Sequence, residues 1–287
     1  MVIAGCGFLG EAAAVFFCDG GWGVLCLCAT AGSAARLASH PFEIRATDIT
    51  GSLAGISDDW IGAEALIHCA SSSHGGADAY QAIYRDGLAN LIEAFRPKRV
   101  IFTGSTSVYG QTDGSWVDED SPARPGSATG GVLLEAERIA LQAGGSVARL
   151  SGLYGPGRSV LLHKFLDGSA TLENGGSRWI NQIHRDDAAR ALVKLADQAV
   201  PPGIYNVCDN TPATQRDVYS WISEALRKPL PPVGPSSLSR KRAWTNKRVG
   251  NAKLRATGWQ PDFPAYANAI PGLLDRPAGS LLTGGGW

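Results

Sequence analysis

Neither sign of charge is in excess in this chain: 26 lysines and arginines are matched by 26 aspartates and glutamates over 287 residues. A balanced surface has no field to draw in nucleic acid or an acidic membrane, so neither is expected as a partner. Long apolar runs are also missing, and none reaches the roughly 18 residues that a membrane-spanning helix needs. No secretory leader is expected. Cysteine is sparse. Cys6, Cys18, Cys26, Cys28, Cys69 and Cys208 fall mostly inside apolar runs, where small hydrophobic thiols belong, and their spacing suggests no disulfide framework. Cys26-x-Cys28 is the nearest approach to a metal pair, but no second pair accompanies it, so no metal is expected. These absences favour a reduced, cytoplasmic protein acting on a small molecule. What is present supports a packed core: 44% of the residues are hydrophobic and 18% charged.

The apolar pattern alternates between short runs and helical spacing. Strands are predicted at Val2–Ala4, Val24–Cys28, Phe42–Ala46, Ala65–Cys69, Val100–Thr103, Val147–Leu150 and Ile204–Cys208. Helices are predicted at Leu9–Cys18, Ala77–Phe95, Val132–Gln142, Asp186–Gln198 and Thr214–Arg227, with Asp186 or Asp187 as the N-cap of the fourth. Continuous apolar strands separated by helices specify an α/β class: a Rossmann-type, doubly wound parallel sheet with a small C-terminal substrate lobe. Residues 1–160 are expected to form the dinucleotide-binding core. Residues 161–287, richer in glycine and proline breaks, are expected to supply the closing strands and the lobe, within one structural unit.

Gly5-Cys6-Gly7-Phe8-Leu9-Gly10 fits G-x-G-x-x-G between the first strand and the first helix. In that setting the first glycine permits a tight turn, the second lets backbone approach a pyrophosphate, and the third lets helix and strand pack closely. Phe8, Leu9 and Gly10 would present amides at the positive end of the helix. The second strand ends Cys28-Ala29-Thr30, without the carboxylate that usually holds the ribose hydroxyls of NAD. Thr30, Ser33 and Arg36 could surround a 2′-phosphate instead, so the expected cofactor is NADP or NAD, with NADP slightly favoured. Arg36 as a solvated helix residue is the alternative. Asp48 and Ile49 are candidates to meet the adenine, with a helix cap as the alternative for Asp48, and Ala70 is a further cofactor-binding candidate.

Several segments together resemble the extended short-chain dehydrogenase/reductase group, the NAD-dependent epimerase/dehydratase family. They are Gly5–Gly10, Asp48-Ile49, Ala65–Ala70, Ile101–Gly110, Asp118–Pro122, Arg149–Gly157 and Ile183–Ala188, in the family's order. The resemblance implies a Rossmann fold, a nicotinamide cofactor and a homodimer formed through helices near Ala77–Phe95 and Val132–Gln142. It also implies a catalytic serine at Ser105 and a Tyr-x-x-x-Lys pair on the next helix. Counted back from Glu137, those two places hold Thr129 and Leu133, and no tyrosine or lysine lies between Tyr109 and Tyr154. The usual acid/base pair is therefore absent. A positioned proton carrier contributes about 10²–10⁴-fold, so the departure bears directly on the reaction.

Ser105, Tyr109 and His184 remain as catalytic candidates. Each has a bland alternative, respectively a strand-end hydroxyl, a packed aromatic and a structural histidine. Substrate-binding candidates are Ser71, His74, Ser105, Thr106, Arg158, Asn181 and Arg248. Lys241, Arg242 and Lys247 complete a basic group near Arg248, which in sugar-nucleotide members of the family would meet a diphosphate, with a solvated basic face as the equal alternative. The leading expectation is an NAD(P)-dependent oxidoreductase, epimerase or dehydratase with non-standard acid/base residues, acting on a small polar or anionic, sugar-type substrate. The alternatives are a non-catalytic dinucleotide sensor or scaffold, and a lyase or isomerase.

Overall fold

The computed structural model describes residues 1–53, 58–72, 76–235 and 245–275. In the first half, strands β1 (Val2–Ala4), β2 (Leu25–Cys28), β3 (Glu43–Ala46), β4 (Leu66–His68), β5 (Val100–Ser105), β6 (Trp116–Val117) and β7 (Ser146–Leu150) alternate with helices. These helices are α1 (Phe8–Asp19), α2 (Ala31–Arg36), α3 (Ala77–Tyr80), α4 (Gly87–Phe95) and α5 (Ala128–Gln142). The second half contributes β8 (Gly152–Tyr154), β9 (Leu172–Glu173), β10 (Trp179–Ile180), β11 (Gln182–His184), β12 (Gly203–Val207), β13 (Ala213–Thr214), β14 (Val233–Gly234) and β15 (Arg248–Val249). Its helices are α6 (Val160–Leu166), α7 (Arg185–Ala196), α8 (Gln215–Leu226), α9 (Ala252–Arg255) and α10 (Tyr266–Leu274).

Seven strands form one parallel sheet in the order β12-β7-β5-β4-β1-β2-β3. β1 and β4 are fully buried, as expected of strands covered on both faces. On one face α1 and α7 pack through alanines: Ala12, Ala13 and Ala14 share a cluster with Ala188, Ala189, Ala191 and Leu192. Small side chains let these helices approach each other closely. On the other face Leu88, Leu133, Ala136 and Ala140 pack against Val100, Phe102 and Val147 of the sheet. A separate apolar cluster joins α6, α8 and α10 around Phe165, Tyr219, Ile222 and Tyr266. The chain runs from β1 outward through β2 and β3, then returns to the opposite side of β1 as β4. That reversal leaves a crevice beyond the carboxyl ends of β1 and β4, where open α/β sheets take their ligands.

Three local features depart from the sequence pattern. The helix predicted over Ala77–Phe95 is α3 and α4 joined by a π-helical segment, Gln81–Asp86. Helix α5 starts four residues before Val132, because Ser127 Oγ accepts the Gly130 N–H and caps it. Gly130 and Gly131 had concealed that start from the apolar periodicity. Finally, neither Asp186 nor Asp187 is the N-cap of α7. His184 holds that place, its Nδ1 accepting the Asp186 N–H at 3.2 Å.

Candidate dinucleotide and substrate site

The three glycines after β1 have different physical reasons to be glycine. Gly5 has φ +91°, and a Cβ there would stand 2.3 Å from Ala70 N. A Cβ on Gly10 would stand 2.2 Å from the Gly5 carbonyl oxygen. Both are demanded by contact of the turn with β4 and α1. Around Gly7 there is nothing within 4 Å of such an atom, and the residue is exposed. This is a cradle with one open side. Helix α1 has no side-chain cap, and its first bond runs from Glu11 N–H to Gly7 O at 2.9 Å. The amides of its first turn are therefore the ready donors for an anion, reinforced by the helix dipole. The turn fits a dinucleotide pyrophosphate on these grounds. The Leu9 side chain points into the core, so only its backbone faces the cradle. Ala70 meets Gly5 directly.

Phe8 forms a meeting point. The Arg158 and Arg185 guanidinium carbons lie 5.2 and 5.3 Å from its ring centroid. A Cβ on Gly155 would approach Phe8 Cζ at 3.3 Å and His184 Nε2 at 3.5 Å. The structure thus brings Phe8, Arg158 and His184 together around Gly155.

Beyond β2, Thr30 caps α2 by accepting the Ser33 N–H at 3.1 Å, and the two hydroxyls lie 3.0 Å apart. Arg36 reaches back to the glycine turn. Its Nη2 donates to the Cys6 carbonyl at 3.2 Å and its Nη1 to Glu11 Oε2 at 2.6 Å. Asp48 caps no helix; its Oδ1 accepts from Thr50 N–H and Oγ1 at 2.9 and 2.8 Å, closing a local turn and lowering its pKa. Ile49 is buried with Leu91 and Phe95.

Hydroxyls collect at the carboxyl ends of β5 and β7. Ser105 ends β5, accepts the Ser107 N–H at 3.2 Å and stands in register with Leu150. Thr106 donates to the Leu150 carbonyl at 3.4 Å. Ser151, the next residue, has a buried hydroxyl without a partner among the described residues. The Ser72 hydroxyl, beyond β4, is in the same condition, whereas Ser71 is exposed. Neither Ser72 nor Ser151 was singled out in the sequence, because an unpartnered hydroxyl is a property of its surroundings.

Two catalytic candidates take on a different character. Tyr109 is buried, its hydroxyl donating to Asn206 Oδ1 at 2.9 Å beneath the Arg149 guanidinium. Burial pushes its pKa up, away from a proton-carrying range near neutrality. An imidazole ordinarily titrates near neutrality, which is what would suit His184 to proton transfer. Here burial, which disfavours the charged ring, lowers its pKa to about 4. Its Nδ1 is an acceptor in the cap, so the neutral ring carries its proton on Nε2, toward Gly155. That proton can serve a hydrogen bond, but the ring does not take a second one at neutral pH. Helix α5 carries at positions 129 and 133 no side chain able to act as a proton carrier near neutral pH. Leu133 packs in the core, and Thr129 Oγ1 lies 3.1 Å from Ser127 Oγ.

In the second half, Asn181 is a clamp. Its Nδ2 donates to the Lys247 carbonyl at 2.9 Å and its Oδ1 accepts the Val249 N–H at 2.7 Å. Arg248 donates to the Gly114 carbonyl at 2.8 Å and lies between the rings of Trp116 and Trp179, 5.2 and 4.9 Å from their centroids. Lys247 is buried, and its desolvated ammonium beside Arg178 has its pKa lowered to about 8. His74, Lys241 and Arg242 lie outside the described residues. Among the described residues no group of His, Cys, Asp and Glu could hold a metal, and no helix is long and apolar enough to cross a membrane.

Comparison with known proteins agrees with this geometry. The family described as the NAD dependent epimerase/dehydratase family matches residues 1–208. Protein YeeZ of Escherichia coli strain K12 is 32% identical over 149 residues, which are 50% of this chain and 53% of YeeZ. The chain thus matches only about half the length of that curated relative. A functionally unknown conserved protein from Silicibacter pomeroyi superposes with a TM-score of 0.77 at 26% identity, covering 95% of this chain and 97% of its own. UDP-glucuronic acid 4-epimerase from Bacillus cereus, solved with UDP-glucuronic acid and NAD, gives 0.78 at 17% identity over 96% and 97%. The dTDP-glucose 4,6-dehydratase DesIV from Streptomyces venezuelae, solved with NAD bound, gives 0.76 at 20% identity over 95% of each chain.

Proposed function

The chain belongs to the NAD dependent epimerase/dehydratase family, and from that premise we propose that it binds NADP or NAD at Gly5–Gly10 and exchanges hydride with a small polar or anionic, sugar-type substrate. The observation that carries this is the open side of the cradle at Gly7, against the packed sides at Gly5 and Gly10. The bound nicotinamide would supply a hydride donor or acceptor. The remaining tasks fall to the chain. Amides of Phe8, Leu9 and Gly10 would hold the pyrophosphate against the α1 dipole. Arg36 stands next to the turn on the α2 side, where no carboxylate follows β2 to repel a 2′-phosphate. The missing carboxylate after β2 supports NADP over NAD, although a bound phosphate would have to draw the guanidinium from Glu11. Ser105 and Ser151 would donate to a substrate oxygen at the strand ends. His184 Nε2–H, with Phe8 and Arg158, would line the near wall.

Fluorescence titration with NADH and NADPH, followed by a turnover screen against sugars, aldehydes and ketones, tests this proposal. Binding of either dinucleotide with turnover that falls in Ser105→Ala, while affinity for the cofactor stays unchanged, is the expected result. Absence of binding to both would remove it. Thr129 and Leu133, in place of the usual proton carriers, favour a second function: a non-catalytic dinucleotide sensor or scaffold. Tight binding without turnover across the screen would select that one.

A further inference from the structure

We propose that Lys247 receives an acidic group carried on the reacting half of the substrate, so that the protein selects small carboxylates over their neutral analogues. This rests on the assignment of the substrate to the cleft above β5 and β7.

Lys247 is only 5% exposed. Its backbone is held on both sides. Asn181 grips its carbonyl and the Val249 N–H, while Asn246 Oδ1 accepts the Trp179 N–H at 2.9 Å and the Asn246 carbonyl accepts the Gly114 N–H at 2.9 Å. In β15, which follows directly, Val249 is buried with Tyr109, Val117 and Cys208, while Arg248 is stacked between tryptophans. The Lys247 side chain as a whole is thus almost entirely withdrawn from solvent.

No carboxylate reaches this ammonium among the described residues. The charge that acts on it is another cation, Arg178, which together with burial brings its pKa to about 8. At neutral pH most of the population is still protonated. A buried charge without a counter-charge is costly, and a ligand anion removes that cost.

The position is tied to the reacting end by hydrogen bonds. The same Asn181 that holds Lys247 accepts the Gly152 N–H on its own carbonyl at 2.9 Å. Gly152 follows Ser151, whose hydroxyl has no partner among the described residues, and the preceding Leu150 is in register with Ser105. One residue therefore links an unpaired cation to the strand ends where hydroxyls await a substrate oxygen. A molecule with a carboxylate and ring hydroxyls matches that pairing of donors.

The test is trace acetylation of lysines in the whole protein, mapped by mass spectrometry. D-glucuronate serves as the acidic probe, D-glucose as its neutral analogue and UDP as a phosphate source. D-glucuronate is expected to slow modification of Lys247 at least fivefold while the exposed Lys98 is unaffected, with no protection by D-glucose. D-glucuronate should also raise the Tm of the native protein and of Lys247→Arg, but not of Lys247→Met. Equal protection by D-glucuronate and D-glucose, or none by either, overturns the proposal. Protection by UDP equal to that by D-glucuronate also overturns it, since Lys247 would then serve a phosphoryl group. No dinucleotide is needed in these measurements. A failure here with NADH still binding would refute the inference alone, and a failure of dinucleotide binding would leave this readout intact.

Discussion

A methyl group added at Gly7 should separate binding from stability. A Cβ there meets nothing within 4 Å, and φ at Gly7 is −87°, outside the left-handed region. The folded chain therefore accommodates Gly7→Ala, apart from the loss of a favourable N-cap, about 1 kcal/mol. That corresponds to a Tm decrease of roughly 2–4 °C for a chain of this size. The same methyl occupies the open side of the cradle. Charge-assisted bonds from amide to phosphate contribute about 1.5–3 kcal/mol each. Displacing the pyrophosphate from two amides would cost at least about 3 kcal/mol, roughly a hundredfold in Kd. Gly10→Ala should behave oppositely. Its methyl would stand 2.2 Å from the Gly5 carbonyl oxygen, so α1 must move away from the turn. Overpacking of this kind costs about 1–3 kcal/mol or more. The helix-propensity gain of about 1 kcal/mol offsets only part of it. Thermal melts and NADPH titrations of both variants, beside the native chain, give the comparison. Native affinity in a folded Gly7→Ala protein would refute the assignment of the cradle. An unchanged Tm in Gly10→Ala would refute the account of why that residue is glycine.

Arg36→Ala should weaken NADPH tenfold or more while changing NADH by less than twofold, measured in the same titration; equal losses would mean that the guanidinium only braces the turn. The pKa of His184 is lowered by folding from 6.5 to about 4, so protons bind preferentially to the unfolded chain between those values. Stability is therefore complete above pH 6.5 and declines as pH falls toward 4, by up to about 1.4 kcal/mol per pH unit. Urea unfolding at pH 5 and pH 7 should show a smaller difference for His184→Asn, which retains a cap acceptor, than for the native protein. Arg149 and Glu137 form a bidentate pair at 2.9 and 2.6 Å, both nearly inaccessible, joining β7 to α5. Arg149→Met alone should cost about 3–5 kcal/mol by stranding a buried carboxylate. The double variant Glu137→Gln/Arg149→Met should recover part of that loss in denaturant unfolding.

Much of this fold was legible in the chain itself. Apolar runs of strand length, spaced by helical periodicity, dictated a parallel sheet with both faces covered, since only buried strands can be apolar throughout. The glycine turn was legible for a related reason: a residue without Cβ in a fixed pattern reports close backbone contact. The missing tyrosine and lysine of α5 could also be read directly, being a matter of residue identity at a counted place. Other properties exist only once distant segments meet. Burial moved the pKa values of Tyr109 and His184 away from proton transfer near neutrality, and no local pattern carries the desolvation that burial brings. His184, rather than Asp186 or Asp187, caps α7 because the chain enters that helix directly from β11. The unpartnered Ser151 hydroxyl and the uncompensated Lys247 ammonium depend on what fails to reach them, and sequence cannot express such an absence of neighbours. Residue order fixed which groups were available, while packing decided their charge, their partners and which of them remain free to meet a ligand.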